Sequence, residues 1–382
     1  MNKIGRDIGC GMTAKISTAI VAAVLAMPPA ASAGPALLFD ASSRAVLYAE
    51  DVDTQWHPAS LTKVMTAYVT FQAIKDRALT LETKISCSAI CNGQGPTKLG
   101  LSVGATLTVK TALEALIMKS ANDVAVMLAE AVAGSYEDFI DYMNGTANRL
   151  GMTRTKFGNA NGLPDPDQVT TVRDMAKLAA AVVRDFPQYA AMWSLLEMRI
   201  DKLYVHTHND LLINFSGADG MKTGFICDSG FNVIASATRQ GQKLIAVVFG
   251  EATKQERSTR AIKLLEHGFR ISPWESMFAW QTLDNLPTEE DAPRTVAKPA
   301  KVISVVCGTG GHAVASVRKR RAGVGERGTK GHHARLRGQG LRHDRRGSAS
   351  TTSTMPTRRD WRASGTGCPA SRTWSPFSTC SS

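Results

Sequence analysis

The chain has 382 residues, of which 43% are hydrophobic, and its formal net charge is +12. This hydrophobic share is typical of a globular protein with a core, so the composition excludes a fibrous or wholly disordered chain. The excess positive charge lies after residue 300, where Glu326, Asp344 and Asp360 are the only acidic residues. Because the charge is not spread over a folded face, the composition does not favour a nucleic-acid-binding protein.

The N-terminus has the pattern of an export signal. Lys3, Arg6 and Lys15 are basic, residues 16–27 are largely apolar, and residues 31–33 read Ala-Ser-Ala, a small-residue cleavage site. The apolar run is shorter than the roughly 20 residues that a spanning helix needs. We therefore predict a signal peptide over residues 1–33 and a periplasmic or other extracytoplasmic protein. A short N-terminal membrane anchor is the alternative.

The next part of the chain alternates between strand and helix patterns. Residues 36–39 and 45–48 predict a hairpin, and helical periodicity begins at Ser60 and recurs from 108 to 134, with an interruption at 120–122. Ser135 predicts the start of a further helix, and residues 171–183 predict another. Three strand patterns follow, over 221–225, 231–237 and 244–249, and then an amphipathic helix. This order predicts an α+β fold over residues 34–273: a mainly antiparallel sheet covered by helices, with an inserted helical lobe.

The patterning fades after residue 273. Residues 274–306 resemble a linker, and residues 307–382 are basic, of low complexity and without apolar periodicity. Such a segment buries too little surface to offset its loss of conformational entropy. We expect a disordered extension or an out-of-frame translation. A basic arm that binds an anionic wall polymer or a membrane is the alternative.

The cysteines do not determine their own pairing. Cys10 lies in the predicted signal. The body contains Cys87, Cys91 and Cys227, and the tail contains Cys307, Cys368 and Cys380. An oxidising compartment permits disulfides. No histidine or second cysteine pair accompanies Cys87 and Cys91, so the spacing does not favour a zinc site.

Ser60 and Lys63 form the first candidate catalytic pair. Residues three apart share one face of a helix, so the hydroxyl and the amine can come within hydrogen-bonding distance. A neutral lysine can take the proton of a serine hydroxyl, provided that burial and a second cation lower its pKa. Taken alone, the pair is better interpreted as an N-cap serine and an exposed lysine, because two fixed positions recur about once by chance in a chain of this size.

Ser120 and Asn122 are the second element, at the junction of two helical patterns. A hydroxyl there can relay a proton, and an amide can hold a peptide carbonyl and the catalytic lysine. Singly, both residue types are ordinary helix caps.

Lys222, Thr223 and Gly224 are the third element and lie on a predicted strand. They offer a cation, a hydroxyl and a position where no side chain blocks a ligand lying along the strand. The order of the three elements along one chain is the signature of penicillin-binding proteins and serine β-lactamases.

Five blocks resemble the low-molecular-mass D-alanyl-D-alanine carboxypeptidases within that superfamily. They are Pro58–Ala67, Lys119–Asp123, Asn159–Leu163, Gly220–Gly224 and Gly230–Asn232. The resemblance covers roughly residues 34–273 and implies a β-lactamase/transpeptidase-like fold. Many members also carry a small all-β domain and a C-terminal amphipathic helix, and neither pattern occurs here, so nothing in the sequence supports membrane association.

The resemblance implies a role for each motif residue. Ser60 is the nucleophile that attacks the penultimate D-alanine of a peptidoglycan pentapeptide stem, Lys63 is the general base, and Ser120 passes a proton to the leaving group. The backbone amides of Ser60 and Phe225 form the oxyanion hole. Lys222 and Thr223, beside Gly224, hold the terminal carboxylate, and Asn122 holds a peptide carbonyl. β-Lactams are expected as covalent inhibitors, and no metal or organic cofactor is needed.

Three rival functions share these residues. A class A β-lactamase needs a glutamate in an acidic loop, and Glu130, Glu137 and Glu197 lack that setting. A D,D-endopeptidase uses the same chemistry and stays open, as does the oligomeric state. A non-catalytic wall-binding protein would not need Ser60 and Lys63. A Ser-His pair involving His57, His206 or His208 is not favoured, because Lys63 already supplies a base.

Overall fold

The computed structural model describes residues 34–200, 203–271 and 280–293, together with Val296 and Cys307. The predicted signal and the predicted tail after Cys307 lie outside the described residues.

The strands are β1 (Ala36–Asp40), β2 (Val46–Glu50), β3 (Lys84–Ser86), β4 (Thr106–Thr108), β5 (Glu197–Ile200), β6 (Leu203–His206), β7 (Ala218–Ile226), β8 (Gly230–Arg239) and β9 (Gln242–Glu251). The helices are α1 (Thr62–Lys75), α2 (Ala89–Asn92), α3 (Val109–Met118), α4 (Asn122–Ala133), α5 (Tyr136–Arg149), α6 (Val172–Asp185), α7 (Ala190–Trp193), α8 (Leu211–Asn214) and α9 (Lys254–Arg270).

Five strands form an antiparallel sheet in the order β2-β1-β9-β8-β7. Alternate residues of β1 point to opposite faces: Leu37 and Phe39 enter one core and Leu38 enters another. α9 covers the second face, and α6 with the helical lobe covers the first. β8 and β9 are therefore apolar on both faces. The predicted α+β fold with an inserted helical lobe is confirmed.

α1 is the central helix of the lobe. α3, α4, α5 and α6 pack around it, and every residue from Thr62 to Phe71 is buried. The buried surface is wider than the single stripe that the sequence predicts, because a helix surrounded by helices has no solvent face. Two of its buried hydroxyls bond to backbone carbonyls: Thr66 Oγ1 donates to Ala160 at 2.6 Å and Thr70 Oγ1 donates to Thr66 at 2.8 Å. The buried Thr62 hydroxyl has no partner among the described residues.

Five helices in the described part of the chain begin at a serine or threonine side-chain cap, including Ser88 at the start of α2. The Ser/Thr-x-x-Asp/Glu pattern occurs at three of them, α5, α6 and α9. Ser135 Oγ accepts from the Asp138 amide at the start of α5, and Thr171 Oγ1 accepts from the Asp174 amide at the start of α6. Thr108 and Thr253 cap α3 and α9 in the same way. Each cap satisfies an amide that the helix itself leaves free.

After α9, residues 280–293 lie against the body; we call them the C-terminal strap. Leu283 and Leu286 are buried in the main core. The Leu283 amide donates to the Arg44 carbonyl at 3.0 Å, and the Val46 amide donates to the Gln281 carbonyl at 2.9 Å. The strap lies within the predicted linker, and the domain boundaries at 273 and 306 stay predictions.

Among the described residues, two disulfides pair four of the cysteines whose pairing the sequence left open. Cys87 pairs with Cys91, and Cys227 at the end of β7 pairs with Cys307. No helix within the described ranges is both long and apolar enough to cross a membrane.

Candidate active site

Ser60 lies in a single 3₁₀ turn, Ala59–Leu61, that leads into α1. The sequence predicts the helix to begin at Ser60 itself, whereas the α-helical hydrogen bonding begins at Thr62. The tighter turn still places Ser60 one turn before Lys63. The Ser60 Oγ and Lys63 Nζ atoms are 3.1 Å apart, so the predicted contact between the two side chains is present.

Lys63 is 1% exposed and is surrounded by oxygen atoms. Its Nζ donates to Asn122 Oδ1 at 2.7 Å and to the Asn161 carbonyl oxygen. A neutral amine has two N–H groups and one lone pair, so these two permanent acceptors occupy both N–H groups. The lone pair is then left for the proton of the Ser60 hydroxyl.

Burial lowers the pKa of Lys63 well below its ordinary value, and the charge of Lys222 lowers it further. The negative charge of Asp123 opposes both effects. These are the two conditions, desolvation and a neighbouring cation, under which a lysine becomes a base near neutral pH.

Ser120 and Asn122 flank the start of α4. Ser120 has a left-handed backbone, with φ of 61°, and its buried Oγ has no hydrogen-bond partner among the described residues. A buried hydroxyl without a protein partner is available to bond a ligand or a water. Asn122 Nδ2 donates to the Gly95 carbonyl at 3.0 Å, which orients Oδ1 towards Lys63.

β7 forms the opposite wall of the site. Lys222 is 2% exposed, its Nζ donates to the Thr223 carbonyl at 3.0 Å, and burial followed by the charge of Arg257 lowers its pKa to about 7. A Cβ atom on Gly224 would lie 3.1 Å from the Ser60 amide nitrogen and 3.2 Å from the Pro58 carbonyl oxygen. Glycine therefore allows β7 to lie alongside the Ser60 turn. Phe225 follows, 36% exposed and stacked on Phe231.

Two further basic side chains lie near Lys222, and the sequence gave neither of them a role. Arg257, on α9, is 3% exposed, and its Nε has no partner among the described residues. His208 is partly buried beside Thr223; burial and the charges of Lys222, Lys119 and Lys254 lower its pKa, against the charge of Asp210. His57 Nδ1 contacts the Gln168 carbonyl at 2.8 Å.

Asn161 and Gly162 are the residues that sequence reasoning missed. They lie in a block quoted for its resemblance, without a role, yet the Asn161 carbonyl holds Lys63. Asn161 is itself held by Gln94 at 2.8 Å. Gly162 has φ of 84°, and a Cβ there would lie 1.9 Å from the Ala59 carbonyl oxygen. The close approach of this turn to the Ser60 turn depends on the absence of a side chain.

Replacing Gly162 by alanine is expected to destabilise the protein and to slow the reaction of Ser60. The left-handed conformation alone costs an alanine about 1–2 kcal/mol. The overlap with Ala59 adds to that and displaces the Asn161 carbonyl from Lys63. Gly104→Ala is the control, because Gly104 has φ of 83° with nothing within 4 Å of its Cβ position. Chemical unfolding and acylation rates should both show a larger loss at Gly162; equal losses would contradict the prediction.

The rim beside Asn122 is held by a buried carboxylate. Asp123 accepts from the amides of Leu99 at 3.1 Å and Gly100 at 2.8 Å. The Asn122 amide donates to the Thr97 carbonyl at 2.7 Å.

No group of three or more His, Cys, Asp or Glu side chains that could hold a metal ion occurs in the part of the chain that the structure describes.

The fold thus brings the hydroxyl of Ser60 into contact with the amine of the buried Lys63. The family model for D-alanyl-D-alanine carboxypeptidase, Peptidase S11, matches residues 22–253. The chain belongs to this family.

Individual relatives agree with the family assignment. The chain is 37% identical over 261 residues to D-alanyl-D-alanine carboxypeptidase DacC of Escherichia coli, covering 66% of this chain and 65% of that protein. It is 30% identical over 238 residues to DacF of Bacillus subtilis, covering 61% of each. The matched region thus spans less than two thirds of these curated relatives.

Solved structures show the same fold. Penicillin-binding protein 5 of Haemophilus influenzae is similar with a TM-score of 0.61 and 33% identity, over 64% of this chain and 73% of that one. Penicillin-binding protein D2 of Listeria monocytogenes, in its cefotaxime-bound form, is similar with a TM-score of 0.57 and 30% identity, over 62% of this chain and 97% of that one.

Proposed function

We propose that this protein is a serine D-alanyl-D-alanine carboxypeptidase that removes the terminal D-alanine from peptidoglycan pentapeptide stems. The observation that carries the proposal is the environment of Lys63: its two N–H groups have protein acceptors, its pKa is lowered, and its nitrogen lies 3.1 Å from Ser60 Oγ. Such an amine can take the serine proton and leave an oxygen nucleophile.

Acylation follows from this arrangement. Ser60 Oγ attacks the carbonyl carbon of the penultimate D-alanine while its proton passes to Lys63 Nζ. The oxygen that becomes negative is held by the amides of Ser60 and Phe225, as preorganised donors stabilise a developing charge. The bond to the terminal D-alanine then breaks, and its nitrogen receives the proton through Ser120. The unpaired hydroxyl of Ser120 supports this role.

The terminal carboxylate is bound on the β7 side of the site. Lys222 and Thr223 face it, and Arg257 adds a second buried cation whose Nε lacks a protein partner. One N–H of the Asn122 amide is used by Gly95, and the second remains for a carbonyl of the peptide stem. Water then hydrolyses the acyl ester and regenerates Ser60. A penicillin acylates the same oxygen and remains as a slowly hydrolysed ester.

Location outside the cytoplasm is part of the proposal. Two disulfides among the described residues are consistent with an oxidising compartment, as is the predicted signal over residues 1–33. The cell-wall setting agrees with the family to which the chain belongs.

Intact mass spectrometry with benzylpenicillin tests the proposal. We expect a stoichiometric adduct with the mass of the intact penicillin, mapped to the peptide that contains Ser60, and release of D-alanine from a pentapeptide. Ser60→Ala should lose both, because alanine has no nucleophilic oxygen. A folded, signal-cleaved protein that neither forms the adduct nor releases D-alanine would contradict the assignment.

A β-lactamase is the second candidate, and the structure does not favour it. Among the described residues between Asn122 and Lys222, Glu130 is engaged by the Ser88 hydroxyl at 2.8 Å, and Glu197 lies on β5 in a peripheral hairpin. Glu137 lies in the first turn of α5, so all three glutamates are on helices or strands and none is in the acidic loop that a class A β-lactamase needs. Fast turnover of penicillin, rather than a persistent adduct, would favour the β-lactamase. Cleavage of cross-linked muropeptides would reveal a D,D-endopeptidase.

The kcat/KM for the pentapeptide is expected to follow a bell-shaped pH profile. It rises as Lys63 loses its proton, since only the neutral amine is a base. It falls above about pH 7 as Lys222, with a pKa of about 7, loses the charge that attracts the carboxylate. In Lys222→Arg, the residual activity should lack the descending limb, because a guanidinium stays charged. An unchanged limb in that variant would show that another group causes it.

A further inference from the structure

The C-terminal strap is held by a buried ion pair beside the chain that leads to Ser60. Arg173 and Asp53 form two hydrogen bonds, at 2.6 and 2.8 Å, and their side chains are 6% and 2% exposed. Arg173 also donates to the Leu286 and Pro287 carbonyls of the strap, at 2.8 and 2.7 Å. The Glu289 amide donates to the Asp53 carboxylate at 2.9 Å. The strap is therefore an integral part of the folded body.

Residues 53–58, the lead-in to Ser60, lie between the strap and the β7–β8 hairpin. On the strap side, the Gln55 amide donates to the Pro293 carbonyl at 3.2 Å. On the hairpin side, Trp56 Nε1 donates to the Ser229 carbonyl at 2.8 Å, and Asn232 Nδ2 donates to the His57 carbonyl at 3.1 Å. The position of the lead-in thus depends on both neighbours.

The Cys227–Cys307 disulfide connects the same hairpin to the chain beyond the strap. Cys227 directly follows β7 and lies two residues after Phe225, whose amide belongs to the proposed oxyanion hole. Ser229, which holds Trp56, closes the same turn by donating its amide to the Ile226 carbonyl at 3.1 Å. A covalent bond at Cys227 therefore constrains the turn that follows β7 on one side and contacts the lead-in to Ser60 on the other.

We propose that Cys227 is a positioning residue: its disulfide to Cys307 holds the β7–β8 turn, and through it the two oxyanion amides, in the geometry for acylation. The inference rests on the proposed function, because it concerns the same Ser60 and Phe225 amides. These amides come from separate chain segments, the lead-in and β7, and only tertiary contacts fix their separation. A shift of about 1 Å in such donors can cost up to about 100-fold in rate.

The disulfide also makes the site sensitive to thiols. A dithiol reductant would give two electrons to the Cys227–Cys307 bond, which breaks into two thiols, while the reductant closes to a cyclic disulfide. Acylation should then slow without loss of the fold, because the strap keeps its contacts with Asp53 and Arg173.

The test measures the acylation rate constant for a fluorescent penicillin in the full chain, with and without dithiothreitol. The variants are wild type, Cys307→Ser and Cys227→Ser/Cys307→Ser. We expect both variants to acylate at least 10-fold more slowly than oxidised wild type, with an unchanged dissociation constant for the initial complex. Wild type should fall to the same rate on reduction, whereas the double variant, which keeps Cys87–Cys91, should not respond.

Circular dichroism at the assay temperature monitors the folded fraction. A variant that acylates at the wild-type rate would overturn the inference, as would a loss of rate that only follows the loss of folded protein. An equal response of wild type and the double variant to reductant would assign the effect to Cys87–Cys91 and overturn it too. Failure of oxidised wild type to acylate at all would instead refute the proposed function.

Discussion

Replacing Lys63 by methionine is expected to slow acylation of Ser60 by about 10²–10⁴-fold, the range for loss of a general base. Methionine has a similar length but no nitrogen that could accept the serine proton. The substitution also leaves Asn122 Oδ1 and the Asn161 carbonyl without the N–H groups that they now accept from. Stopped-flow measurement with a chromogenic β-lactam gives the rate.

Lys177→Met is the matched control for this variant. Lys177 donates to the Gly151 carbonyl at 2.5 Å, far along the chain from the Ser60 turn, so its removal costs a hydrogen bond but no base. It should acylate at close to the wild-type rate. If Lys63→Met acylated within a few-fold of wild type while folded, another residue would have to activate Ser60.

Replacing Asp53 by alanine is expected to lower the free energy of unfolding by about 3–5 kcal/mol, because it leaves the buried Arg173 guanidinium without its counter-ion. The strap loses the acceptor for the Glu289 amide as well. For a domain of this size the loss corresponds to a fall in Tm of roughly 10 °C. Calorimetry or thermal circular dichroism measures it.

Asp284→Ala provides the comparison on the same strap. Asp284 pairs with Arg44 at 2.8 Å, but its side chain is 67% exposed, so its loss should cost no more than about 1 kcal/mol. Similar changes in Tm for the two variants would contradict the argument from burial.

The contribution of Asp53 should also depend on pH. Burial by itself would raise the pKa of Asp53, but hydrogen bonds from Arg173 and from the Glu289 amide hold it below its ordinary value. A carboxyl with a lowered pKa in the folded state stabilises the fold at neutral pH, and this stabilisation is lost as the pH falls through that pKa. The difference between wild type and Asp53→Ala should therefore shrink below about pH 4.

Local patterns predicted the elements that carry chemistry. The contact of Ser60 with Lys63 follows from a three-residue spacing within one turn, and the caps at Ser135 and Thr171 follow from the residues three positions on. The strand patterns after residue 220 were equally reliable, because they are long, apolar and separated by turn residues. The short strands β3 to β6 gave no such signal.

The contacts that tune Lys63 were beyond sequence reasoning. Asn161 is 98 residues away along the chain and acts through its backbone carbonyl, which every residue possesses. Arg257 reaches Lys222 from a different element, and nothing in a surface-like helix pattern distinguishes it from an exposed arginine. The strap lies in a stretch where Pro and charged residues mask a few buried apolar side chains such as Leu283 and Leu286.

By itself, the amino-acid sequence determined which residues are the candidates for nucleophile, base and carboxylate-binding cation, and on which kind of element each lies, because periodicity and spacing act over a few residues. Only the tertiary structure decided the lowered pKa of Lys63, the approach of Gly224 to Ser60 and the partner of Cys227. These depend on burial, on the charge of Lys222 and on chain segments brought together from far apart in the sequence, and no local pattern encodes them.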